Sequence, residues 1–230
     1  MRMHDRRDRE HEARRRAILA AARGLFLKEG YENASIRKIA ERTDYSPPAI
    51  YRYFRSKQDI FFALAEQGFR LFHRAMADIE PSADPIETLR RHFWRYYEFS
   101  KAQPEYFSLM FVDRSVPRIS REWDRLAFMR AMRDQLREVI ARCVQAGLFP
   151  PGTNPDVVFH IIATAAHGAA VVRLSDRFVP RQTADALARD VIEAAITGLR
   201  HGVPITFDAD ICFHSAAATT RPGSTRVRRT

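Results

Sequence analysis

The chain has 230 residues, 46% of them hydrophobic, which suits one large domain or two small ones around a buried core. Basic charge is concentrated at its ends: residues 1–57 hold 15 Lys and Arg against 8 Asp and Glu, residues 58–213 hold 19 against 20, and residues 214–230 hold 4 against none. Two cysteines, Cys143 and Cys212, are too few for a disulfide framework or a four-thiolate zinc site, so no metal or other cofactor is expected.

The first sixteen residues, MRMHDRRDREHEARRR, contain no apolar run, so no signal peptide is expected. Residues 1–11 are expected to form a disordered basic arm. A helix is predicted over Glu12–Glu29, with Ile18, Ala21, Ala22, Leu25 and Phe26 as its buried stripe and Gly30 as its terminator.

Residues 35–57, SIRKIAERTDYSPPAIYRYFRSK, carry the densest local information. Ser35 is placed to cap a short helix whose apolar face is Ile36, Ile39 and Ala40, ending near Thr43. Asp44 and Tyr45 make a tight turn, and Asp tolerates a left-handed backbone. Ser46 is placed to cap a second helix, with Pro47 and Pro48 in its first turn, where the backbone N–H is unpaired in any case. Ile50 and Phe54 lie four apart and face inward, leaving Tyr51, Arg52 and Tyr53 outward. Ser56 caps the next helix, with Asp59 three residues on in a capping-box pattern. Two short helices across a tight turn, the second exposing Tyr and Arg in a basic segment, form a helix-turn-helix pattern. A generic helical corner accounts for the caps and the apolar spacing, but not for the exposed Tyr-Arg-Tyr.

This run closely resembles the DNA-binding signature of the tetracycline-repressor (TetR) family of bacterial transcription regulators, in which a phrase like S-P-P-A-I-Y-R-Y-F-x-S-K is the recognition helix entering the next long helix. The resemblance covers roughly residues 12–62 and departs at Asp44, where the family has Gly or another small residue. It implies double-stranded DNA as partner. Ser46, Pro47, Ala49 and Arg52 are the expected base readers. Tyr51 and Tyr53 are expected on phosphates or thymine methyls, Ser35 and Lys57 on phosphates, and Thr43 and Tyr45 complete the DNA-contacting set. Beside such a motif, Arg14, Arg15 and Arg16 are either a solvated basic stretch or further phosphate contacts.

Helices are predicted onward from Ser56 to Ile79, Pro85 to Lys101, Pro104 to Val112, Ser120 to Gln145, Pro155 to Leu174 and Thr183 to Arg200. No stretch alternates with period two, so the fold class is all-α. Together with the family resemblance this implies a helix-turn-helix domain over residues 12–60, a helical effector-binding and dimerisation domain over 61–213, and a disordered basic tail over 214–230. The most apolar run, Val157–Val172, is 16 residues interrupted by His160 and His167, short for a membrane span. A cytoplasmic protein without membrane association is expected.

Eight aromatic residues fall between Phe93 and Phe111. They are either an ordinary core or the lining of an apolar effector cavity, the second being what the family resemblance implies. Phe93, Tyr97, Tyr106, Phe107, Trp123 and His167 are the candidate pocket residues for a small apolar effector. His160 and His167 lie seven apart on one helix, too far to share a metal ion. The broad apolar face of the last helix, from Leu187 to Leu199, and the family resemblance both point to a homodimer. No dinucleotide, Walker, zinc-protease or serine-hydrolase motif is present, so an enzyme is not expected. A regulator without a small effector, or a helical module that binds protein only, are the alternatives at this level, and salt-sensitive DNA binding separates them.

Overall fold

A computed structural model describes residues 3–117, 127–177 and 179–207. Every described element is helical: α1 (Met3–Glu29), α2 (Ile36–Thr43), α3 (Pro47–Tyr51), α4 (Lys57–Ala77), α5 (Pro85–Ala102), α6 (Pro104–Phe107), a π-helical segment (Ser108–Val112), α7 (Ala127–Gln145), α8 (Pro155–Ser175) and α9 (Arg181–His201). The expected termini recur where a cap dictates them. Ser35 Oγ accepts the Lys38 N–H, Ser56 Oγ the Asp59 N–H, Asp84 the Ile86 N–H and Asn154 the Asp156 N–H. Asp44 ends α2 in the left-handed region at φ 55°, the turn that lets α3 fold back across it.

Four local expectations are corrected. Residues 3–11, expected disordered, continue α1 as helix, with an Arg6–Glu10 ion pair one turn apart. Ser46 holds the cap position of α3 without a side-chain cap bond: Pro47 and Pro48 carry no N–H, and the Ala49 N–H donates to the Ser46 carbonyl instead, at 2.9 Å. Thr183 lies inside α9, its hydroxyl on the Pro180 carbonyl, and the helix begins at Arg181. The predicted helix over Pro104–Val112 is α-helical only to Phe107 and then widens into the π segment. Trp123, Ser120 as a cap, and the tail over 214–230 lie outside the described residues.

Two apolar clusters form the core. The first runs from Ile18, Leu25 and Phe26 of α1 through Ile39 and Ile50 to Ile60, Phe61, Leu64, Phe69 and Phe72 of α4, and on to Tyr97, Phe99 and Phe107 in the body. The second joins α5, α7, α8 and α9 around Leu89, Ile140, Val158, Ile162, Ile192 and Ile196. Helix α4 therefore belongs to the DNA-binding head at its N-terminus and to the body beyond Gly68. Gly68 itself permits the close approach of the π segment: a Cβ there would lie 2.3 Å from Met110 Sδ and 3.0 Å from a Tyr106 ring carbon.

Candidate DNA-binding surface and effector body

Helix α3 is too short to be stable alone and is held by what it buries. Ile50 is fully buried and Phe54, just past the helix, nearly so. With these two anchored inward, Ser46, Pro47, Pro48, Tyr51 and Arg52 are left in solvent, Tyr51 at 53% exposure, and Ala49 is half-buried. Among the described residues the Arg52 guanidinium has no ion-pair partner, so nothing within the head competes with a ligand for it.

The other expected DNA residues fall into different roles. Ser35 is exposed at the start of α2, its hydroxyl committed to the cap. Thr43 donates back to the Ile39 and Ala40 carbonyls. Tyr45 is half-buried against the first cluster. Tyr53 is half-buried too, packed against the first cluster, with the His11 ring tilted against it at 4.6 Å between ring centroids. Lys57 turns inward: its Nζ donates to the Tyr31 carbonyl at 2.8 Å and to that of Glu32 at 3.4 Å, over the Tyr31 ring. The extended α1 adds His11, which sequence reasoning passed over, and places Arg15 of the basic stretch. His11 lies against Tyr53 and Arg15 over the Phe54 ring, so this basic helix borders the α3 surface. The one-turn spacing of Arg6 and Glu10 is compatible with a helix but equally with solvated chain, so it did not mark these residues.

In the body, the five candidate pocket residues that are described, Phe93, Tyr97, Tyr106, Phe107 and His167, turn to different neighbours. Phe93 belongs to the second cluster, 6.2 Å from Phe159. Tyr97 is fully buried, and its hydroxyl donates to Asp185 of α9, which also takes the Lys101 ammonium. Tyr106 turns toward α1 and α4: its hydroxyl donates to Gln67 Oε1 at 3.1 Å, and Arg23 lies over its ring. Phe107 and His167 do meet, stacked at 5.7 Å. Around them gather Phe72, Tyr96 and Phe111, with Phe107 5.2 Å from Phe111 and 5.4 Å from Tyr96. Phe72 and Tyr96 stand edge to face at 5.7 Å. This cluster contains one polar contact, 2.9 Å between Tyr96 Oη and His167 Nδ1. Burial pushes the Tyr96 hydroxyl far above its ordinary range and pulls the imidazole down, so both groups are neutral near pH 7. Among the described residues no group of His, Cys, Asp and Glu is arranged to hold a metal ion.

The fold and surface define a class: an all-helical protein with an N-terminal helix-turn-helix and a helical body. Residues 18–64 match the family model described as bacterial regulatory proteins, tetR family, and residues 89–195 match that of the tetracyclin repressor-like C-terminal domain. The chain belongs to the TetR family of transcriptional regulators. It is 28% identical over 173 residues to the HTH-type transcriptional regulator HbdR of Aromatoleum sp., covering 73% of this chain and 74% of that one. It is 33% identical over 84 residues to the HTH-type transcriptional repressor AcnR of Corynebacterium diphtheriae, covering 35% of this chain and 44% of AcnR, less than half that relative's length. The fold matches the solved structure of the transcriptional regulator FadR from Bacillus subtilis in complex with stearoyl-CoA, with a TM-score of 0.63 at 18% identity over 79% of this chain and 97% of that one.

Proposed function

We propose that this protein is a homodimeric repressor that reads a nearly palindromic DNA operator through α2 and α3 and is released by a small, largely apolar effector bound in the body. The observation that carries the reading is the α3 surface, where Ser46, Pro47, Tyr51 and Arg52, the last without an ion-pair partner among the described residues, are presented on a helix anchored by Ile50 and Phe54. A helix this short contacts few base pairs, so useful specificity requires two half-sites about 34–36 Å apart and a two-fold dimer to span them. The apolar outer sides of α8 and α9 support that dimer: Ile161, Ala165, Val172, Leu187 and Val191 are all left partly exposed by their own chain. Effector responsiveness is supported by the aromatic cluster with its Tyr96–His167 contact, and by the same fold holding stearoyl-CoA in the FadR structure. A protein that works on DNA in this way operates in the bacterial cytoplasm.

The test is fluorescence anisotropy with duplexes tiled across the DNA upstream of the protein's own gene, at several salt concentrations. Tight binding to one duplex containing an inverted repeat is expected, with affinity falling as salt rises. Equal, weak affinity for all duplexes overturns the reading.

A further inference from the structure

A cleft of about 370 Å³ opens between α1 and α4 beside Tyr106, lined by none of Phe72, Tyr96, Phe107, Phe111 and His167 of the body's aromatic cluster, and within the size range of small-molecule sites. Its lining divides by chemistry. The floor is apolar, made by Leu19, Leu64, Leu71 and the Tyr106 ring. The rim carries four guanidinium groups, Arg16, Arg23, Arg70 and Arg74, and no acidic side chain is among the described residues that line the cleft. Two of the four have neighbours outside it: Arg23 pairs with Glu105 at 2.9 Å and Arg70 with Glu66 at 2.7 Å. Arg16 and Arg74 have no ion-pair partner among the described residues. Gln67 accepts the Tyr106 hydroxyl through Oε1, so its NH2 remains a donor at the same edge.

We infer that this cleft is a ligand site separate from the body cluster, and that it takes a compact organic anion: a phosphate, sulfonate or carboxylate carried on a flat apolar group. Arginine's planar fork matches such headgroups, and the floor supplies a dry surface for the rest. The anion is not the operator backbone. Arg70 and Arg74 lie 13 and 17 residues beyond Lys57, about 20 and 25 Å along α4 from the end that faces DNA. Because α1 belongs to the head and Tyr106 to the body, an occupant fixes the two against each other and changes operator affinity. That regulatory half rests on the DNA-binding reading; ligand capture does not.

The full-length protein is titrated by isothermal calorimetry with 1-naphthyl phosphate, and separately with neutral 1-naphthol, inorganic phosphate and hexaglutamate. The expected result is that 1-naphthyl phosphate binds at least about tenfold tighter than either fragment of it. Arg16→Gln/Arg74→Gln is expected to lower that affinity by about tenfold or more without moving Tm, since both side chains are exposed. Tyr96→Phe, in the body cluster, is expected to leave it unchanged. Equal binding of 1-naphthol, unchanged affinity in the double variant, or loss in Tyr96→Phe overturns the site. Tighter binding of hexaglutamate also overturns it, in favour of an acidic protein partner. Anisotropy on operator DNA is run without ligand in parallel. Failure there removes the regulatory half, while the titration alone judges the cleft.

Discussion

Replacing Tyr96 by Phe tests the body cluster with little steric change, because the ring and its packing against Phe72, Phe107 and Phe111 remain. What is lost is the hydroxyl 2.9 Å from His167 Nδ1. A buried group that loses its partner forfeits about 1–3 kcal/mol, and His167 is only half-buried, which places the expected cost at about 1–2 kcal/mol. His167→Leu orphans the other member and is expected to cost a similar amount. With both replaced no polar atom is stranded, so the double variant is expected to lose about 1 kcal/mol less than the sum of the singles. Urea unfolding at fixed protomer concentration measures this, the concentration being held because the proposed dimerisation would add to stability. Single effects that add to within about 0.3 kcal/mol would refute the reasoning. The same variants carry a pH signature. Desolvation lowers the folded-state His167 pKa below its ordinary 6.5, so the unfolded chain takes up the proton first as pH falls. This contribution is complete above pH 6.5 and declines below it until the folded-state pKa is passed. In His167→Leu that part of the stability profile is expected to flatten.

Arg52→Ala is expected to weaken operator binding by about 1–3 kcal/mol while leaving Tm unchanged, because the side chain is exposed and has no ion-pair partner among the described residues; anisotropy and a thermal melt check both. Ile50→Ala removes the fully buried anchor of α3 and is expected to destabilise the protein by about 2–5 kcal/mol, read by urea unfolding. Asp185 and Glu193 are held below the ordinary carboxylate range by hydrogen bonds from Lys101 and Arg90. Their stabilisation is present above the unfolded pKa and lost as pH falls through the lowered folded one. These partly exposed pairs are worth about 0–1 kcal/mol each, so Asp185→Asn is expected to shrink the acid limb of a stability–pH curve by that amount. Val191→Arg places a charge on the partly exposed face of α9 and is expected to yield monomers by light scattering, with operator affinity lost alongside.

Helix boundaries were legible wherever a side chain enforces them, as at Ser35, Ser56, Asp84 and Asn154, whose oxygens each accept a first-turn N–H. Gly30, Gly147 and Asp44 were legible as terminators for the complementary reason, a left-handed backbone that few residues adopt. The helix over residues 3–11 was not, since composition alone treats a charged segment as solvated chain, whereas Arg6–Glu10 pairing and the His11–Tyr53 contact give it partners. The π segment has no local signature in Ser-Leu-Met-Phe-Val. It arises where chain distant in sequence, at Gly68, leaves room for Met110. The candidate pocket residues were the least legible. Aromatic density marked a stretch, but which face each ring presents is decided by tertiary packing: Phe93, Tyr97 and Tyr106 turn to three different neighbours, and Tyr96 meets Phe72 only through the crossing of α4 and α5.

The inward turn of Lys57 bears on how such a molecule would switch. Two of its three N–H donors are engaged by the carbonyls of Tyr31 and Glu32, with its charge over an aromatic face. Asp59 accepts the Arg55 N–H while its own N–H is capped by Ser56. The first turn of α4 is thereby tied to the loop after α1, so the Lys57 ammonium is engaged within the head and is not left free for a phosphate. A head tied in this way cannot absorb motion of α4 by bending at its junction. Farther along, α4 passes so close to Met110 and Tyr106 that Gly68 has no room for a Cβ, and a tilt of α4 about this contact would be carried to the head. From Gly68 to Lys57 is 11 residues, about 16 Å of helix, so a tilt of about 10° displaces the head by about 3 Å. Hydrogen bonds to base edges tolerate only a few tenths of an ångström around about 2.9 Å. On the proposed reading, a small movement at the aromatic cluster would therefore be enough to take α3 out of register with a half-site, without any change inside the head itself.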